Sequence, residues 1–150
     1  MERLRLYAGA SAVTYAQLLA KYRLKHGKLV EPRQGFDSLQ PSLWLAYSMG
    51  RKRGFTDLGT YANKPGDHGY HPAYAFDLGR NNRFFFKGWN YIVARRLAKL
   101  YVQHHKALNI NYVILGDKIW SRSKPYWHHY GPDKSHFFHI HVSGVHATEK

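Results

Sequence analysis

Two histidines one residue apart, His139-Ile140-His141, and an aspartate far upstream in Ala73-Tyr74-Ala75-Phe76-Asp77-Leu78 are the residues whose types and spacing best suit metal chemistry. Along a β-strand, side chains at i and i+2 leave the same face, so His139 and His141 project together while Phe138 and Ile140 point the other way. By the same rule Ala73, Ala75 and Asp77 share one face of their own strand. His68 and His71 stand just before the Asp77 segment and His136 just before the histidine pair, within a chain that carries 11 His. A hydrolytic zinc site uses three protein ligands and keeps one position open for water, whose pKa falls from about 15.7 to about 7, while the metal polarises the scissile carbonyl. One His, one Asp and one His presented by two strands meet that requirement. The chain has no Cys, which excludes disulfides, thiolate zinc sites and a cysteine nucleophile and leaves any metal to imidazole and carboxylate. Taken singly, an H-x-H pair is a weak signal in a histidine-rich chain, and Asp77 alone reads better as a satisfied edge carboxylate; together with the histidine motifs it reads as a ligand.

The elements that must position these residues follow from periodicity. Phe137 to Ser143 alternates and reads as a strand, as do Tyr112 to Leu115 and Lys118 to Ser121, which flank a Gly116-Asp117 turn and predict a hairpin. Gly88 to Leu108 is the clearest helix, with Trp89, Val93, Leu97, Leu100 and Tyr101 on one stripe. Ser11 is placed to cap an earlier helix with Val13, Ala16, Leu19, Ala20 and Leu24 at helical spacing and Gly27 as its stop; a short helix from Pro41 to Met49 ends at Gly50. Residues 28–40, 62–72 and 122–136 read as loops. The expected fold class is α+β: a small, mostly antiparallel sheet carrying the metal site, packed against one long helix, with N-terminal helices. A chain of 150 residues is expected to form a single domain, residues 1–53 its helical N-terminal part and 54–144 its core.

Hydrophobic residues at 44% and aromatics at 16% argue against disorder. Lys and Arg outnumber Asp and Glu by 23 to 9, a formal +14, and a field of that size attracts polyanions, so nucleic acid and an anionic cell wall both suit it as partners. The charge is spread along the chain, as expected for a coat on a folded body. No stretch approaches the roughly 20 apolar residues of a membrane span, and the charged start Met1-Glu2-Arg3-Leu4-Arg5 does not read as a signal peptide.

Asp67-His68-Gly69-Tyr70-His71-Pro72-Ala73-Tyr74-Ala75-Phe76-Asp77, followed far downstream by His139-Ile140-His141, resembles the zinc peptidoglycan peptidases of the lysostaphin, D-alanyl-D-alanine carboxypeptidase and hedgehog-like superfamily. The string His136-Phe137-Phe138-His139-Ile140-His141 is similar to the H-x-x-H-x-H of penicillin-insensitive murein endopeptidases, and residues 111–121 with 139–143 look like related phage and actinobacterial lysin-type domains. The resemblance covers roughly residues 54–144; residues 1–53 carry none. It implies a Zn²⁺ ion held by His68 or His71 together with Asp77 and His141, with His139 as a catalytic histidine beside the metal. The family pattern H-x-x-G-x-A-x-D, counted back from Asp77, puts Tyr70 at the histidine position. His71 then calls for a one-residue deletion and His68 for a two-residue insertion. His68 is favoured because loop insertions cost little, with His71 its rival. Where many relatives carry an acidic base this chain has Phe138, so His136 is the candidate base, or the domain binds zinc without catalysis.

The expected function is therefore hydrolysis of amide bonds in the stem or cross-link peptides of peptidoglycan by a monomeric metallopeptidase, an endolysin-like enzyme released by phage lysis or carried on the virion. A metal-dependent nuclease is the alternative, since H-hydrophobe-H and positive charge also mark nicking enzymes. Those need a nucleophilic Tyr on a helix, for which Tyr101 is the upstream candidate. A phosphoesterase built on His141-Val142-Ser143 and His146-Ala147-Thr148 needs the motifs farther apart, and a non-catalytic wall-binding module is the simplest further reading. Of the remaining motifs, His104-His105 complements the long helix's C-terminal dipole, Trp120 reads as core, and Asp57 and Asp117 have no evident partner. Tyr126-Trp127-His128-His129-Tyr130 reads either as aromatic packing over the core or as a substrate wall.

Overall fold

The computed structural model describes residues 12–80, 88–131 and 139–146. Six strands form one antiparallel sheet: β1 (Thr56–Gly59), β2 (Ala75–Gly79), β3 (Ile110–Leu115), β4 (Lys118–Ser121), β5 (His128–His129) and β6 (His139–Gly144). Their spatial order is β1-β2-β6-β3-β4-β5. The last strand thus inserts between β2 and β3, two strands that are separated in sequence by the long helix. Helices α1 (Tyr15–His26), α2 (Trp44–Arg51) and α3 (Gly88–Gln103) complete an α+β fold in which the longest, α3, packs on the sheet.

Alternation divides the sheet into two faces. Phe76 and Leu78 of β2, Val113 and Leu115 of β3, and Ile140 and Val142 of β6 join Leu18, Leu45, Tyr47, Leu97 and Tyr101 from the helices in one core. The residues that alternate with them, Asp77, Tyr112, Ile114 and His141, therefore face the other way. Phe76, Leu78, Ile140 and Val142 have no solvent exposure. By area arguments each fully buried aliphatic or aromatic side chain contributes about 1.5–3 kcal/mol.

Several local expectations change on folding. Ser11 lies outside the described residues. Helix α1 is capped by Thr14, whose hydroxyl accepts from the Gln17 amide while the Gln17 side chain returns a bond to the Thr14 amide. Its buried residues are Leu18 and Tyr22, one turn apart, and Leu24 is 91% exposed. On α3 the buried stripe is Ala94, Leu97, Ala98 and Tyr101, rotated from the one expected, and Trp89 is exposed. Two alanines on that stripe let the helix approach the sheet closely. The helix ends at Gln103, and residues 104–109 continue as turns closed by the His104 to Leu100 and Leu108 to His104 amide bonds. Gly50 does not stop α2. It is buried within it, and a Cβ there would stand 2.3 Å from Leu78 Cδ1, so the glycine lets α2 approach β2 closely. Strands β1 and β5 fall in stretches too short and too polar to alternate visibly. Asp57, read as unpartnered, accepts from the Arg33 and Gly59 amides and the Tyr47 hydroxyl, tying the 28–40 loop to β1. Asp117 pairs with His129 at 3.7 Å.

Candidate metal centre

Antiparallel pairing of β2 with β6 sets Asp77 directly opposite His141, and such cross-strand neighbours have Cβ atoms about 4.5–5.5 Å apart. A carboxylate and an imidazole are thereby brought together by register alone. The third group arrives from outside the sheet. Residues 60–74 fold back over this face, with a 3₁₀ turn at Asp67–Gly69 that presents His68. Three backbone bonds fix that turn: Ala62 N to His68 O, Gly69 N to Gly66 O and Tyr74 N to Asp67 O, each 2.9 Å. Gly69 is needed there because a Cβ would lie 2.0 Å from the Lys64 carbonyl oxygen.

The result is a cluster of His68, Asp77 and His141 whose candidate ligand atoms all lie within 4.8 Å of one another, a group able to hold a metal ion. His68 Nε2 is 3.3 Å from His141 Nδ1 and 3.2 Å from Asp77 Oδ2, and His141 Nδ1 is 2.9 Å from Asp77 Oδ1. A tetrahedral ion with bonds of about 2.0–2.1 Å holds its donor atoms about 3.3 Å apart, and the two ring nitrogens stand at that separation with one carboxylate oxygen of Asp77 near each. Each imidazole is also anchored from behind. His68 Nδ1 donates to the Thr60 carbonyl, which leaves Nε2 a lone pair facing inward. His141 Nε2 lies 2.8 Å from Ser143 Oγ, and donation to that hydroxyl gives Nδ1 an inward lone pair too. Anchoring of the outer ring nitrogen is how metal-binding imidazoles are oriented. Two lone pairs and a carboxylate converging at these distances need a cation or a proton among them.

The electrostatics agree with that need. Burial pushes the Asp77 carboxyl up, but hydrogen bonds from His141 and His68 and the nearby charges of His141 and His139 outweigh it and hold the group well below the usual carboxylate range. Burial pushes the His68 imidazole down, yet its bond to Asp77, the Asp77 charge and the Thr60 carbonyl prevail, so its pKa is raised. His139 stands beside the cluster with Nε2 3.6 Å from Asp77 Oδ1. His71 is elsewhere: its exposed ring meets Tyr61 edge to face at 5.1 Å, and His68 is the histidine of this loop that joins the cluster. His136 and Phe138 lie outside the described residues.

Around these residues is a support that sequence reasoning missed. The Tyr112 ring stacks on His141, with centroids 5.6 Å apart, and its hydroxyl donates to Asp67 Oδ2 at 3.2 Å, so one side chain touches both ligand-bearing segments. Burial raises that phenol to about 12. His146 Nε2 holds the other Asp67 oxygen at 2.8 Å and stacks on Tyr74. Ser143 was legible in principle, two residues after His141 on the same strand face. Thr60 acts through a carbonyl, which no side-chain pattern reveals.

A cleft of about 260 Å³ reaches His68 and Asp77 and is bordered by Arg33, Gln34, Tyr61 and Lys64. Gln34 Oε1 accepts from the Thr60 amide, the Thr60 hydroxyl and the Tyr61 amide, which pins this rim. The 28–40 loop, silent in the sequence, thus supplies one wall. Among the described residues the 126–130 segment does not border this cleft; Trp127 packs against the core. His105 donates to or accepts from no cluster residue: its Nδ1 meets the Val102 carbonyl and its ring leans on buried Trp120. Tyr101 is fully buried, with its hydroxyl donating to the Ala46 carbonyl at 2.6 Å. Comparison with protein-family models, curated proteins and solved structures returned no match to this chain.

Proposed function

We propose that this chain is a zinc-dependent peptidase that hydrolyses amide bonds in the stem or cross-link peptides of peptidoglycan. The observation that carries the reading is the convergence of His68, Asp77 and His141, two of which, His68 and Asp77, line a cleft that Arg33 and Lys64 also border. Two neutral imidazoles and one carboxylate suit zinc, a borderline cation. They offset one of its two charges, which leaves Lewis acidity for the substrate. The ion, when bound, polarises the scissile carbonyl and makes water a nucleophile at neutral pH.

The chain's own residues do the remainder. Asp77, kept ionised by its neighbours, supplies the negative charge; Thr60 accepts from His68 Nδ1, and with metal in place of the proton on His141 Nδ1 the Ser143 hydroxyl can accept from His141 Nε2, the tautomers that would bind metal. His139 is within reach of the charge that develops on the carbonyl oxygen and can donate to it or deliver a proton to the leaving amine. Arg33 and Lys64 draw the carboxylates of an acidic peptide into the cleft. The formal charge of +14 keeps the protein on an anionic wall. Action at the bacterial wall, with release by phage lysis or carriage on a virion, is part of this proposal. No helix among the described residues is long and apolar enough to cross a membrane. Tyr101, the upstream candidate for a nicking nucleophile, has its hydroxyl buried and bonded to the Ala46 carbonyl, which speaks against the tyrosine-dependent form of the nuclease alternative.

Digestion of purified peptidoglycan tests the proposal. New amino groups should appear with the zinc-loaded protein, vanish with chelator and return on adding zinc. Digestion that is indifferent to chelator, or nicked plasmid in place of new amines, refutes it.

A further inference from the structure

The helix-bearing side of the sheet, away from the donor cluster, holds a second cavity of about 260 Å³. Tyr91, Arg95, Ala98 and Lys99 stand at i, i+4, i+7 and i+8 of α3 and so form one stripe along it. Leu115, Asp117 and Lys118 face them from the β3–β4 turn, and Trp127 closes the space. The floor is apolar and buried, made by Ala98 at 1% and Leu115 at 7% exposure, and the small alanine leaves the room that a larger side chain would fill. The rim is cationic. Among the described residues Arg95, Lys99 and Lys118 form no ion pair, and the lone acid of the lining, Asp117, is engaged by His129. Arg95 lies over the Tyr91 ring at 5.4 Å, which sets the guanidinium toward the rim.

An aromatic wall, an apolar floor, an excess of cations and one carboxylate acceptor together describe a particular ligand chemistry. We propose that this cavity binds an anionic saccharide of the bacterial wall, its ring against Trp127 and its phosphate or carboxylate among Arg95, Lys99 and Lys118. Asp117, an acceptor with no donor of its own, takes a sugar hydroxyl, a contact that a DNA duplex, whose internal sugars carry no free hydroxyl, does not offer. The inference rests on the wall-directed reading for its substrate class. Asp77 and His141 leave the sheet on the opposite face from the core residues Phe76 and Val142, so the saccharide site can hold a polymer while the metal cluster stays free for a peptide.

The test is cosedimentation of the full chain, stripped of metal by chelator, with purified cell walls at physiological salt. Arg95→Ala with Lys99→Ala should weaken binding by about tenfold or more. Removing the same charge from α1, as Lys21→Ala with Lys25→Ala, should change it by less than about threefold. Both pairs are at exposed helix positions and should leave the melting temperature unaltered. Trp127→Ala should lose binding as the double variant does. Walls extracted to remove phosphodiester polymers name the source: lost binding assigns the anion to phosphate, kept binding to glycan carboxylate. Equal losses from both charge pairs mean a diffuse field and overturn the site, as does an unchanged Arg95/Lys99 variant. Competition by a short DNA duplex that is abolished by the same two substitutions replaces the saccharide with nucleic acid. Because metal is absent throughout, failure here is distinct from failure of the peptidase reading, which shows instead as wall binding without new amino groups when zinc is restored.

Discussion

On one face of β2 and β6, Phe76, Leu78, Ile140 and Val142 are wholly buried in a core they share with three helices; one residue along, on the other face, Asp77, His139, His141 and Ser143 carry ion pairs and hydrogen bonds. Both faces come from the same backbone and the same register. They differ in what each side chain costs if removed: the apolar face loses packing, whereas the polar face, though His141 and Ser143 are buried, loses chiefly donors and charge. Stability and metal chemistry are therefore separable by single substitutions at adjacent positions.

The sharpest way to break that separation is to compare Asp77→Ala with Phe76→Ala. The first should lower zinc affinity and wall hydrolysis by more than about 100-fold, beyond what loss of an outer hydrogen-bond partner gives, while the metal-free protein still folds by circular dichroism. The second should cost about 3–5 kcal/mol of stability in denaturant titration, with metal retained by the fraction that stays folded. If Asp77→Ala digests peptidoglycan at the native rate, the two faces are not divided as described. Ser143→Ala is a finer probe. It removes the outer anchor of His141 and should weaken zinc binding by about 10–100-fold, read by competition with a chromophoric chelator, with a melting temperature close to that of the parent when metal is absent.

The smallest expected effect is a change of sign with pH. In the metal-free protein the His68 pKa stands above its ordinary 6.5, since the bond to Asp77, the carboxylate charge and the Thr60 carbonyl outweigh burial. A raised pKa means that the protonated pair stabilises the fold fully below about 6.5 and that this contribution is lost as pH rises through the folded value. Zinc competes with the same proton, so its affinity grows over that interval. Relative to a His68→Ala variant, which keeps His104 and His105 with their lowered pKa values of opposite effect, the melting temperature should fall with rising pH in chelator and rise with pH in zinc. Parallel curves would mean that His68 is not the group that exchanges proton for metal.

Ligand-type residues and strand faces were legible because alternation is a local property: His139 and His141 share a face wherever that strand is placed, and the Gly116-Asp117 turn closes its hairpin from adjacent residues alone. Helix faces were less legible. The stripe on α3 turned toward Ala94 and Ala98 because close approach to the sheet favours small side chains over large ones, and Trp89 was left outside.

Composition and periodicity by themselves determined an α+β chain, rich in positive charge, with imidazole and carboxylate as its only donors for a metal. Tertiary structure decided the rest. It selected His68 over His71 for the cluster, since the direction of that loop is set by Gly69 against the Lys64 carbonyl and by the Tyr74–Asp67 bond. It also brought Thr60, Tyr112 and the neighbours Arg33 and Gln34 to the site from three separate stretches of chain. Contacts between residues distant in sequence depend on how the whole chain packs, and no local pattern encodes them.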